Sequence, residues 1–132
     1  MRVVLDSNVW LAILTMDGFC RRLWRTARGQ CAFIASQYIL DEVEEKLCAK
    51  FRFSLRHARL MTFFVKQQTE FVWPASTVTI CRDADDNQIL AAAFDSHCSY
   101  LITGDSDLLV LKSFEGIQII NPREFLKLVS KI

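Results

Sequence analysis

Short apolar runs and amphipathic stretches take turns along the chain. Val3-Val4-Leu5 is apolar without a break and stops at Asp6-Ser7-Asn8. That pattern predicts a strand buried on both faces, followed by a turn and a helix cap. Val9 to Leu14 then has the length of one or two helical turns, and Asp17-Gly18 breaks it. Phe19 to Arg28 predicts a helix with Leu23, Trp24 and Ala27 on one side and arginines around the rest, closed by Gly29. Cys31 to Ala35 predicts a second buried strand. Ser36 caps a helix from Gln37 to about Lys50, whose Ile39, Val43 and Leu47 recur at i, i+4 and i+8. Glu42 lies at the edge of that stripe. Ser54 caps a further helix, Leu55 to about Gln68, with Leu55, Ala58, Met61 and Val65 inward.

Phe71-Val72-Trp73 and Val78-Thr79-Ile80 read as strand or extended pieces on either side of Pro74, which suits a sheet edge or a turn. Asp83-Ala84-Asp85-Asp86 opens a helix that buries Ile89, Leu90, Ala93 and Phe94. Tyr100 to Thr103 predicts another buried strand, ended by Gly104-Asp105-Ser106-Asp107 and followed by a short helix. Gly116 turns the chain into the strand Ile117 to Ile120. Asn121 caps the last helix, with Pro122 at its first position and Glu124 placed as in a capping box. Phe125, Leu128 and Val129 face inward from it. Strands alternating with helices over short connections predict βα units. The expected fold class is α/β: a three-layer sandwich with a mostly parallel central sheet flanked by helices, residues 1–132 forming one domain.

Composition narrows the class. A hydrophobic fraction of 52% with 23% charged residues excludes a disordered chain. No apolar run approaches the roughly 18 residues a membrane span needs. Asp6 and Asn8 interrupt any secretory leader, so a cytoplasmic protein is expected. Five cysteines without a C-x-x-C pair exclude a disulfide framework and a zinc ribbon; core positions are expected for them. Between Gly18 and Gln67 ten basic residues face four acids. Such a half suits an anionic polymer, and it equally suits solvated helix faces.

The acids carry the chemistry. Asp6 and Asp105 each follow a buried strand, and Asp86 stands in the first turn of an apolar helix. Parallel strands present their carboxyl ends on one rim, so the three are expected together there. Carboxylates gathered without basic partners raise one another's pKa or take up a cation, and oxygen-only donors favour Mg²⁺ or Mn²⁺. Arg82 is the nearest candidate counter-charge. Taken singly, Asp83, Asp85, Asp86 and Asp105 also read as ordinary caps.

Four motifs together resemble the PIN domain family, and within it the small prokaryotic toxins of toxin–antitoxin pairs. They are Val-Val-Leu-Asp-Ser-Asn-Val, Ser-x-x-Ile-Leu-x-Glu, Asp-Ala-Asp-Asp-Asn-x-Ile-Leu-Ala-Ala-Ala and Leu-Ile-Thr-Gly-Asp-Ser-Asp-Leu-Leu. The resemblance spans nearly the whole chain and is most specific in the last two motifs. It implies Asp6, Glu42, Asp86 and Asp105 as metal-binding carboxylates, Asn8 as the residue orienting Asp6, and Thr103 as a supporting hydroxyl. Asp107 belongs to the same motif, its part at the metal left open. The resemblance further implies an endoribonuclease using Mg²⁺ or Mn²⁺, an RNA substrate, a small antitoxin partner and a homodimer, with Trp10, Phe19 and Trp24 as candidate dimer residues better suited to the core. Two other readings remain. One is a non-catalytic RNA- or protein-binding module of the same fold. The other is a phosphoaspartyl enzyme using Asp6, which Asn8 and the badly placed Lys112 disfavour.

Overall fold

The computed structural model describes residues 1–131. In chain order its elements are β1 (Arg2–Leu5), α1 (Ser7–Thr15), α2 (Phe19–Ala27), β2 (Ala32–Ser36), α3 (Gln37–Ala49), α4 (Leu55–Gln67), β3 (Glu70–Val72), α5 (Ala84–Asp95), β4 (Tyr100–Ile102), α6 (Ser106–Leu109), β5 (Ser113–Phe114), β6 (Ile117–Ile120) and α7 (Pro122–Val129). The six strands form one sheet in the order β3-β2-β1-β4-β6-β5. Every pairing is parallel except β5 with β6. From β1 the chain works outward through β2 to β3, then crosses back to β4 and on to β6. Its direction of growth therefore reverses between β1 and β4, which lie side by side with Leu5 opposite Ile102. In open α/β sheets the carboxyl ends at such a reversal leave a crevice.

The apolar runs fill the centre as the pattern requires. Val3, Val4, Leu5, Ile34, Leu101 and Ile102 are buried, and so is the Ile39, Val43, Leu47 stripe of α3. Helix α5 packs on β1, β2 and β4. Its small buried residues Ala91, Ala92 and Ala93 let helix and sheet approach closely. The α/β sandwich is as expected. Among the described residues no helix is long and apolar enough to cross a membrane.

Several expectations change. Leu55 is exposed in the first turn of α4, and Thr62 takes the inward place beside Ala58 and Val65, its hydroxyl donating to the Ala58 carbonyl at 2.9 Å. Phe94 is 40% exposed and sits edge-on to Phe114 rather than in the core. Val78 to Ile80 form no strand. The chain there is held by α5 side chains: Asp95 accepts from the Ala75 and Ser76 amides, and Asn87 brackets Cys81. Strand β5 was not expected. It pairs with β6 through a two-residue turn in which Glu115 and Gly116 both have positive φ, 49° and 82°. Trp10 and Trp24 are buried, so neither supplies a surface for a second copy; Phe19 is half-buried and carries the guanidiniums of Arg22 and Arg123 over its ring. All five cysteines are free; Cys98 is buried and the other four are half-buried.

Candidate metal centre

Asp6 leaves the end of β1 at the reversal point. As the N-cap of α1 its Oδ1 accepts the Asn8 amide at 2.7 Å. Its Oδ2 accepts the Thr103 hydroxyl, from the end of β4, at 2.6 Å. The same Thr103 oxygen accepts the Asp105 amide at 3.0 Å. One buried hydroxyl thus ties the ends of both central strands together. Asp6 is only 4% exposed. Burial pushes its carboxyl above the usual range, the Thr103 and Asn8 donors pull it back, and the neighbouring Glu42 charge raises it further.

Asp86 enters from the first turn of α5 and is buried, while Asp83 serves as that helix's cap. Asp105 caps α6 by accepting the Asp107 amide at 2.9 Å. Among the described residues, Asp86, Asp105 and Asp107 each offer a carboxylate oxygen within 4.8 Å of the others. Burial, and after it the charges of Asp105 and Asp83, push the Asp86 carboxyl up to about 7. Arg82 comes to 4.0 Å from Asp107, but at 93% side-chain exposure it offsets little of this repulsion. Three hard oxygen donors without a buried counter-charge fit a divalent cation of the Mg²⁺ or Mn²⁺ kind.

Glu42 has a different setting. Its Oε1 accepts from the Ser7 hydroxyl and from Lys46 Nζ at 3.3 Å, and its Oε2 accepts the Tyr38 hydroxyl at 3.0 Å. Lys46 Nζ also reaches Asn8 Oδ1 at 3.2 Å. The site therefore has two sides, Asp86 with Asp105 and Asp107, and Glu42 with Lys46. Asp6 is electrostatically coupled to both.

A family model of the PIN domain matches residues 2–107. The chain belongs to the PIN domain family. Its sequence is 28% identical to the Methanocaldococcus jannaschii protein MJ1680, across 96% of this chain and 90% of that one. Its fold is similar to VapBC2 from Rickettsia felis, crystallised with a DNA fragment from their promoter, with a TM-score of 0.68 and 11% identity over 92% of this chain and 98% of that one. PAE2754 from Pyrobaculum aerophilum superposes with a TM-score of 0.63 and 17% identity over the full length of both.

In this PIN domain the orienting part expected of Asn8 falls to its backbone amide. The Asn8 side chain is turned to Lys46 instead, its Oδ1 accepting from Nζ at 3.2 Å. Ser7, Tyr38 and Lys46 were not singled out by their sequence context. Tyr38 and Lys46 stand four residues either side of Glu42 on one helix face, which is the signal that points to them. Ser7 carries no signal beyond adjacency to Asp6. Of the ten basic residues between Gly18 and Gln67, Lys46 is the one with a hydrogen bond to a site residue among the described residues. Arg21 instead donates to the Ile13 and Leu14 carbonyls at the end of α1.

Proposed function

We propose that this PIN domain is a metal-dependent endoribonuclease and the toxin of a toxin–antitoxin pair. The observation that carries the reading is the group of three carboxylates, Asp86, Asp105 and Asp107, set beside Asp6 at the sheet's reversal point. Asp86 and Asp105 would hold the ion, with Asp107 and Asp6 at hand and Glu42 closing the other side. Bound Mg²⁺ or Mn²⁺ supplies a Lewis acid for the phosphoryl oxygens and lowers the pKa of the attacking water. Thr103 keeps Asp6 in one orientation, and Ser7 and Tyr38 do the same for Glu42. The exposed arginines of α2 and α4 give a surface for the RNA backbone without reading its bases.

An antitoxin partner is supported by the likeness to toxin–antitoxin PIN proteins and to VapBC2. The exposed Leu60, Phe63 and Phe64 of α4 offer an apolar face for such a partner or for a second copy. The phosphoaspartyl alternative is disfavoured by Asn8, which stands where that class wants a second acid, and by Lys112, which lies beyond α6.

The test is RNA cleavage by purified protein in Mg²⁺ or Mn²⁺, with EDTA and Asp6→Asn run beside it. Cleavage is expected to vanish in both controls. Cleavage that survives Asp6→Asn sinks the assignment, and metal binding without any RNA loss points to the non-catalytic module.

A further inference from the structure

Glu42 and the Asp86 group are both acidic, yet they solve their charge in different ways. Asp86, Asp105 and Asp107 crowd together with one exposed arginine at their edge. Glu42 is met by three donors, from Ser7, Tyr38 and Lys46. The Lys46 ammonium stands 3.3 Å from Glu42 Oε1 and 3.2 Å from Asn8 Oδ1. Without the ammonium, the oxygens of Glu42 and Asn8, with Asp6 behind them, would form a second oxygen-rich, negatively charged cation place.

We infer that Lys46 is a built-in second cation, filling the Glu42–Asn8 side so that the site takes up one divalent ion rather than two. This inference rests on the metal-dependent reading above. Two-metal nucleases use one ion on each side of the reacting phosphate. Here a fixed ammonium holds one of those sides, and the divalent ion is confined to Asp86, Asp105 and Asp107. Lys46 suits the task because its side chain, 31% exposed, retains contact with solvent. An ammonium has three N–H donors. Two are directed at Glu42 and Asn8, which leaves the third for a phosphate oxygen of the substrate.

The experiment is the Mn²⁺ stoichiometry of the full chain, counted by calorimetry and by electron paramagnetic resonance of free Mn²⁺. Wild type is expected to bind one equivalent, Asp86→Asn to lose it, and Lys46→Arg to keep it at one. Lys46→Met, or Lys46→Gln should the first fail to fold, is expected to bind two. Two equivalents in wild type, or one in the folded Lys46→Met or Lys46→Gln protein, overturns the inference and leaves the metal reading intact. No Mn²⁺ bound by wild type overturns the metal reading itself, and the inference with it.

Discussion

Thr103 makes two hydrogen bonds with one oxygen, donating to the Asp6 carboxylate and accepting the Asp105 amide. Thr103→Val keeps the volume and removes both. Groups that orient metal-binding side chains are typically worth 10–100-fold, so the RNA cleavage rate is expected to fall by about that factor. Thr103→Ser should restore it to within a few-fold, with circular dichroism unchanged in both. Asp86 gives a pH prediction. Its folded pKa of about 7 lies above the ordinary 3.8, so the folded state holds the proton more tightly than the unfolded chain. Stability of the metal-free protein is therefore greatest below about pH 4 as far as this group decides it. It falls as pH rises towards 7, by on the order of 1–3 kcal/mol. Thermal midpoints in EDTA should show that slope, and Asp86→Asn should flatten it. Mg²⁺ should raise the wild-type midpoint at pH 8 and leave that of Asp86→Asn in place. At this scale, Asp6 and Asp105 were legible because buried strands end on them, and each turns out to be a helix cap and part of the acidic site at once. Glu42 was legible only through the family resemblance. Tyr38 and Lys46 follow from their spacing once Glu42 is known, whereas the Ser7–Glu42 and Lys46–Asn8 contacts were not legible, because they are set by how α1 and α3 meet.

Among the elements, α5 does more than deliver Asp86. Its Asn87 accepts the Cys81 amide at 2.9 Å and donates to the Cys81 carbonyl at 3.1 Å. Asp95, at the helix's other end, accepts the amides of Ala75 and Ser76. The segment from Trp73 to Arg82 is thus fastened at two points by one helix. Asn87→Ala should cost about 1–2 kcal/mol and open this segment to limited proteolysis near Arg82, with the rest of the chain resistant. Cleavage sites scattered over the chain would contradict it. These clamps also explain why Val78 to Ile80 is no strand. The run has β-favouring residues, but the local pattern holds no record of Asn87 and Asp95. The strands and most helix limits were legible because burial on both faces and repeating stripes leave few alternatives. Leu55 and Phe94 went the other way, since an apolar residue at the end of a helix can lie beyond the layer it would pack against.

Across the whole molecule, charge and apolar surface are unevenly spread. Helix α4 exposes Leu60, Phe63 and Phe64 while burying Ala58, Thr62 and Val65 on α3. An apolar face of that kind favours association. Size-exclusion chromatography should show wild type as more than a monomer, and Leu60→Glu with Phe63→Glu as a monomer with unchanged thermal stability. A wild-type monomer at all concentrations would leave this face to an antitoxin. The reversal of the sheet between β1 and β4 has a consequence in time as well as in space. Asp6 and the hydroxyl that fixes it stand 97 residues apart in the chain. During synthesis the amino-terminal half can emerge and pair its first strands while Thr103, Asp105 and Asp107 are still within the ribosome. The acidic centre is completed only when the segment carrying Thr103, Asp105 and Asp107 joins β1 and α5. On the proposed nuclease reading, a nascent chain would be harmless to the messenger that encodes it until Thr103, Asp105 and Asp107 have left the ribosome.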